Sequence, residues 1–330
     1  MSGSLVRRCS ILAVLVAVAA TLVCSRPSLA RRAADKKYSI AVIPKGLTHV
    51  FWQSIHAGAN RAGKELGVEI RWQGPQNEQE RAAQIRIVDD MLTQGVDAIV
   101  LAPIDRDALV EAIDEAAKKV PVVLIDSGAK TESYKSYIAT DNHKGGQLAG
   151  QKMLELLPDG GEIAVVKVTA GSQSTQERED GFREVVSKNP KIKIVAEQYG
   201  DSDRGKSQRV AGDILAAHPN LKGFYGPNEP SAFGILAALQ DFKKKPGEVQ
   251  FVGFDASEEL AKGLDDGFIQ ALVLQNPIRM GYEGVKAAVA TLKGEQVKKD
   301  QPIEPVLATP QNKDEPKVKE LLRPDLSKDL

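Results

Sequence analysis

Eight residues in this chain stand where an α/β protein carries out its chemistry. His49, Phe51 and Trp52 follow the first apolar run, and Asp126 ends the fourth. Arg178 is expected to open a helix. Asn228 follows the run that closes at Tyr225, Asp255 ends the run from Val252, and Gln275 ends the last one. A carboxylate accepts hydroxyl hydrogens, a guanidinium donates, and side-chain amides do both. Aromatic faces cover apolar C–H surface. Two aspartates, an arginine, two amides and two aromatics therefore suit a cage for a small polyhydroxylated ligand.

Each of these residues also has a plainer use. Phe51 and Trp52 could be core residues at a helix start, although adjacent positions on a helix do not face one core. Asp126 and Asp255 could serve as helix N-caps. Arg178 could pair with Glu177 or Glu179 on an exposed face, which is worth little. His49 and His56 could share a helix face, but no acidic or cysteine partner stands in a metal-binding pattern with them. The sequence predicts no metal and no cofactor. Gly200 to Ser207 matches the phosphate-loop pattern between a predicted strand and helix. Asp201 and Asp203 would there point two carboxylates at a phosphate, so nucleotide binding is not expected.

The elements that must hold these residues follow from periodicity. Four branched apolar residues, Val122 to Ile125, run into Asp126, bounded by Pro121 and Gly128. Such a run reads as a strand buried on both faces. Strands over 38–43, 68–73, 97–102 and 121–126 alternate with helices over 51–66, 78–94 and 106–119. A short strand over 137–140 leads into a second series. Its strands cover 162–168, 191–199, 222–225, 250–255 and 268–274, and its helices 144–157, 176–188, 205–217, 231–241, 258–266 and 278–292. From Lys313 onward a polar, charged tail is expected. The fold class is therefore α/β, with two Rossmann-like lobes built on parallel sheets. In open sheets of this kind ligands bind beyond the strand carboxyl ends, where the eight residues lie. Close crossings near Thr140, Asn276 and Pro305 would form a hinge. The expected division is 37–140 with 277–305 for one lobe, and 141–276 with 306–325 for the other.

With 330 residues the chain has room for two domains. Its first 30 residues read differently. Arg7 and Arg8 precede an apolar run from Ile11 to Val23, and Ser28 and Ala30 are small residues before a cleavage point. This is the pattern of a secretory signal peptide; the arginine pair leaves a twin-arginine signal open. Both cysteines, Cys9 and Cys24, fall inside it, so the mature chain is expected to have no disulfide or thiol nucleophile. Val23 before Cys24 is too large to favour a lipid-attachment site. Removing the signal leaves a net charge of about −3, which points to neither nucleic acid nor an anionic membrane.

The chain resembles periplasmic sugar-binding proteins of the ribose/galactose type. The matching segments are Thr48 to Trp52, Pro121 to Asp126, Ala139 to Asn142, Arg178 to Phe182, Pro227 to Glu229, Val252 to Asp255, and Gln275, in family order across 38–310. The resemblance implies the type I periplasmic binding protein fold, shared with lac-repressor-like cores. It implies that Phe51 and Trp52 stack on a sugar, and that Asp126, Arg178, Asn228, Asp255 and Gln275 hydrogen-bond it. Where ribose binders carry Asn, Arg and an aromatic, this chain has His49, Ser127 and Ser202, so those three also count as candidate ligand-binding positions. The implied protein is a periplasmic, monomeric, non-enzymatic receptor that delivers a small sugar or polyol to ABC permease subunits. Alternatives are a ligand-presenting subunit for a chemoreceptor or sensor kinase, and an exported glycosidase using Asp126 and Asp255. A transcription factor is not expected, because the first core strand starts at Tyr38 and leaves no room for a helix-turn-helix.

Overall fold

The computed structural model describes residues 37–327 and 329–330. The signal-peptide reading, with Cys9 and Cys24, lies outside the described residues. Two six-stranded sheets organise the rest. The first holds β1 (Ser39–Ile43), β2 (Glu69–Trp72), β3 (Ala98–Leu101), β4 (Val122–Ile125), β5 (Ser136–Thr140) and β11 (Asp300–Ile303), in the order β2-β1-β3-β4-β5-β11. All its pairings are parallel. The second holds β6 (Gly161–Lys167), β7 (Ile192–Tyr199), β8 (Gly223–Gly226), β9 (Gln250–Phe254), β10 (Ala271–Leu274) and β12 (Val306–Ala308), in the order β7-β6-β8-β9-β10-β12. Only β12 runs antiparallel.

Parallel sheets need both faces covered, because crossover helices lie on each side. Strand β1 shows why its sequence is continuously apolar. Ile40 and Val42 enter one core, while Ala41 and Ile43 enter the core on the opposite face. The first core is capped by α1 (Val50–Leu66) and α9 (Pro277–Leu292), the other by α2 (Arg81–Thr93) and α3 (Val110–Ala117). On the second sheet, α4 (Asn142–Leu156) and α5 (Gln173–Val186) cover one face. The other is covered by α6 (Arg204–Ala217), α7 (Glu229–Asp241), α8 (Glu258–Asp265) and α10 (Pro316–Leu322).

The chain passes between the sheets after Thr140, after Leu274 and between Ile303 and Val306. A further link comes from the C-terminal segment. Beyond α10 it returns to α1, where Asn60 Nδ2 donates to the Asp329 carbonyl at 2.9 Å and Arg61 grips the Asp329 carboxylate at 2.6 and 3.0 Å.

Several boundaries depart from the pattern-based expectation. Strands β11 and β12 and helix α10 are absent from it. The first two are short and carry Pro302 or lie beside Pro305, so they give no alternating run. Helix α10 is brief, and only Val318 and Leu322 are buried along it, within the tail expected to be merely polar. Helix α2 starts at Arg81 rather than Glu78, which frees Glu78 into a turn. Helix α3 is shorter than expected because the Asp105 carboxylate accepts from the Asp107 and Ala108 N–H groups and holds a turn there. Helices α4, α5 and α7 begin earlier than expected, the first and last at Asp141 and Asn228 caps.

Glycine sets two helix crossings that position the site. A Cβ on Gly281 of α9 would lie 2.1 Å from the Ile55 carbonyl oxygen of α1. A Cβ on Gly146 of α4 would lie 2.1 Å from the Arg178 carbonyl oxygen of α5, behind the Arg178 side chain. No side chain fits at such separations without moving backbone. Gly281→Val is expected to destabilise the fold by about 1–3 kcal/mol through overpacking. An unchanged urea midpoint for that variant would show that the two helices do not meet as described.

Candidate functional site

Carboxyl ends of strands from both sheets converge on one cavity. Lys45, His49, Phe51, Trp52, Glu78 and Asp126 line it from the first sheet's side. Ser174, Thr175, Arg178, Asn228, Glu229, Pro230, Asp255 and Gln275 line it from the other. The enclosed volume is about 30 Å³, far below the roughly 300–1,000 Å³ of ligand cavities, so the walls are closed tightly on one another.

Asp126 and Asp255 occupy equivalent places. Each directly follows a strand, β4 or β9, and each is in the left-handed backbone region, with φ 62° and 70°. Each N–H still donates to the neighbouring strand, to Ile138 O at 3.0 Å and Val273 O at 2.9 Å. Left-handed backbone at a non-glycine residue costs on the order of 1–3 kcal/mol and persists only where its surroundings enforce it. Neither aspartate is the N-cap of the helix that follows. Asp255 instead accepts from the Glu229 N–H at 2.9 Å and from Gln275 Nε2 at 2.6 Å, while Thr140 Oγ1 donates to Gln275 Oε1 at 2.6 Å. Burial pushes the Asp255 carboxyl above its ordinary pKa, against the pull of Arg178 and these hydrogen bonds.

Arg178 sits in the second turn of α5 rather than at its start, and it is 2% exposed. Its Nε donates to Asn142 Oδ1 at 2.8 Å and Nη1 to the Pro227 carbonyl at 3.0 Å. The guanidinium also stacks over Phe254, 4.0 Å from the ring centre. It is thus fixed before any ligand arrives, and it does not pair with Glu177 or Glu179. Asn228 caps α7 with Oδ1 and donates from Nδ2 to Ser202 Oγ at 2.9 Å.

Lys45 and Glu78 carry no weight in the sequence reading, yet both are central. Lys45 Nζ lies 2.8 Å from Asp126 Oδ2, 3.0 Å from Ser174 Oγ and 3.2 Å from Ser172 Oγ. Its three N–H donors therefore have three acceptors. Glu78 Oε1 accepts from Trp52 Nε1 at 2.9 Å and lies 3.1 Å from His49 Nδ1, and Oε2 accepts from Ser202 Oγ at 2.9 Å. Burial would raise the Glu78 pKa, but His49, Lys45 and the Trp52 N–H outweigh it and bring it down to about 2. Burial also opposes charge on His49. Glu78, with help from Glu229 and the Ser202 carbonyl, holds its pKa above the usual histidine value nonetheless. Lys45 follows β1, so the strand-end rule that picks out Asp126 would have found it. Glu78 was read as the first residue of a predicted helix.

The remaining candidates divide by contact. Phe51 and Trp52 meet edge to face at 4.9 Å and both border the cavity; both also pack into the core beneath α1. Adjacent helical positions do share one apolar cluster here, because it wraps the helix start. Ser127 and Ser202 lie outside the cavity wall. Ser127 Oγ accepts from the Ser174 N–H at 3.2 Å, across the two sheets. Ser202 answers Glu78, His49 and Asn228. In the phosphate-loop match, Asp203 caps α6 through the Lys206 N–H at 2.6 Å, so a carboxylate already fills the helix N-terminus. His56 stacks on Trp72 at 4.4 Å. Asp126 and Asp255 make a poor glycosidase pair, since Lys45 holds one oxygen of the first and both oxygens of the second accept protein hydrogen bonds.

Glu78 gives the fold a pH signature. Its pKa is depressed in the folded state, so its contribution is full above its ordinary 4.5 and lost as pH falls towards 2. The stabilisation lost is on the order of 3 kcal/mol. Glu78→Gln should flatten the dependence of the urea midpoint on pH in that acid range. An identical profile for variant and wild type would contradict the burial of this carboxylate.

Comparison with known proteins gives a consistent picture. The periplasmic binding protein domain family matches residues 40–296. The chain is similar to the ribose import binding protein of Salmonella typhimurium, 32% identical over 269 residues, covering 81% of this chain and 89% of that protein. It is similar in structure to a carbohydrate transporter solute-binding protein from Agrobacterium radiobacter in complex with D-arabinose, with a TM-score of 0.84 and 34% identity. That match covers 90% of this chain and all of the other. It is also similar to an ABC transporter solute-binding protein from Agrobacterium vitis with bound D-fucose, with a TM-score of 0.83 and 37% identity, covering 86% of this chain and 99% of that one.

Proposed function

The chain belongs to the periplasmic binding protein family and is a sugar receptor that serves an ABC importer; we propose that its ligand is one uncharged monosaccharide or polyol held in the cavity between the sheets. The observation that carries this reading is the pair Asp126 and Asp255, held in left-handed backbone at equivalent strand ends and facing one cavity with Arg178. In this reading Asp126, Arg178, Asn228, Asp255 and Gln275 bond the hydroxyl groups, and Phe51 and Trp52 cover the apolar ring surface.

Charge balance supports an uncharged ligand. Lys45 pairs with Asp126, His49 with Glu78, and Arg204 with Glu229, while Arg178 offsets Asp255. An anionic or cationic ligand would leave one buried charge without a partner, which is strongly unfavourable. The sheets with their helices act as two lobes that close on the ligand about the chain crossings, and closure is what membrane permease subunits recognise. The receptor binds without turnover and works in the periplasm, reached through cleavage of the first 30 residues.

A thermal-shift panel of pentoses, hexoses and polyols tests the reading, with ribose, allose, arabinose and fucose included because relatives carry them. A ligand present at 100 times its Kd adds about 2.7 kcal/mol of stability. Arg178→Ala is expected to weaken binding by about 1.5–3 kcal/mol, the value of a charge-assisted hydrogen bond. If that variant bound the selected sugar as wild type does, the cavity would not be the binding site.

A further inference from the structure

His49 is placed to do something other than touch the ligand. It precedes α1 on the first lobe, and Glu78 faces it from the turn before α2. Its Nδ1 lies 3.1 Å from Glu78 Oε1. Its Nε2 lies 3.0 Å from the carbonyl oxygen of Ser202, on the second lobe between β7 and α6. Neither partner can donate, since one is an ionised carboxylate and the other a backbone carbonyl. Both ring nitrogens must therefore carry hydrogen, and the ring in this arrangement is an imidazolium. Ser202 is itself held in place. It has left-handed backbone at φ 53°, its hydroxyl donates to Glu78 Oε2, and Asn228 Nδ2 donates to that hydroxyl. His49, Glu78 and Ser202 thus form a closed ring of bonds that spans the cleft.

We propose that protonated His49 fastens the two lobes together, as a positioning residue that sets how tightly the cleft retains its ligand. The proposal rests on the receptor reading above. When the cleft opens, Ser202 departs and His49 keeps only Glu78. When it closes around a neutral imidazole, one acceptor meets a ring lone pair instead of a hydrogen. Closure and protonation are therefore linked. The other charged groups around the ring fit this role. Lys45 stands behind Glu78 on the first lobe. On the second lobe Glu229 attracts the ring but is engaged by Arg204, and Asp203, Glu258 and Glu259 border the same groove. None of these groups bonds the imidazole in place of Ser202.

The sign of the effect follows from the geometry: the Ser202 carbonyl accepts from the ring only in the closed state, so the closed state holds the ring proton more tightly than the open one, where Glu78 alone remains. The bond network is complete below the pKa of the open state and is lost as pH rises through the higher value of the closed state. The full chain is titrated with the sugar selected by the thermal-shift panel, between about pH 5.5 and 8.5. Kd should be flat at the acid end, then rise by up to tenfold per pH unit across the window between the two pKa values. His49→Asn should bind more weakly at the acid end and lose the pH dependence. A wild-type Kd that varies less than about twofold over this range would overturn the proposal, as would the same profile in the variant. Spin-label distances between the outer faces of the two lobes, measured without sugar, give a second readout. They should lengthen as pH rises in the wild type only, and a pH-independent distance would count against the proposal. If no sugar in the panel binds at any pH, the receptor reading fails while the distances still judge His49. If His49→Asn does not fold, the wild-type pH profile decides alone.

Discussion

Buried charge needs partners, and here each ion pair lies within one lobe while neutral hydrogen-bond partners reach across the cleft. Lys45, His49, Glu78, Asp126, Arg178 and Asp255 all sit deep in the cavity wall. Taking one ion out of water costs several kcal/mol unless an opposite charge and hydrogen bonds replace the solvent. Lys45 meets Asp126 on its own lobe and Ser172 and Ser174 on the other. His49 meets Glu78 on its own lobe and Ser202 across the gap. The closed arrangement is thus the one in which Lys45 and His49 have a partner for every N–H. Whatever the ligand adds, it adds to a cleft whose rim is already stitched by protein bonds.

This bears on how a receptor of this kind divides its work. The three positions at which the resemblance to ribose binders implies Asn, Arg and an aromatic hold His49, Ser127 and Ser202. All three side chains are engaged with other protein groups: His49 with Glu78 and the Ser202 carbonyl, Ser127 with the Ser174 N–H, and Ser202 with Glu78 and Asn228. Of these contacts, Ser127 to Ser174, His49 to Ser202 and Ser202 to Glu78 reach across the cleft. Asp126, Arg178, Asp255 and Gln275 remain in the cavity lining. A ligand can shift a conformational equilibrium only by its differential affinity for the two states. A cleft that carries part of its own closure needs less of that difference from the sugar.

The two halves solve the same local problem twice. Each ends a central strand in an aspartate with left-handed backbone, and each lets two helices touch at a glycine. In the second half the glycine contact lies against the Arg178 carbonyl oxygen, so it sets where the Arg178 backbone is fixed. The Arg178 Nε bond to Asn142 and the guanidinium stacking on Phe254 complete that fixation.

Much of this was legible in the sequence. Continuous branched runs gave the strands, and their carboxyl ends gave Asp126, Asp255 and Gln275, because a short apolar run without alternation, bounded by turn residues, reads as a strand buried on both faces. Helix starts were less legible. Glu78 was read as the first residue of an expected helix, and Arg178 was placed at a helix start when it lies a turn further in. Polar residues before a helix carry no periodic signal. Lys45 was available to the same strand-end rule that found Asp126, but a lone lysine after a proline gives no hint of three acceptors.

The sequence by itself determined the alternation of strands and helices, the two-lobed α/β architecture and most of the polar residues that line the cavity. These follow from local periodicity and from the chemistry of single residues. Only the tertiary structure decided which of the polar residues face a ligand and which face each other. That choice depends on distances of about 3 Å between segments more than a hundred residues apart. Hydrogen bonds fall off steeply beyond that range. No spacing along one chain encodes it.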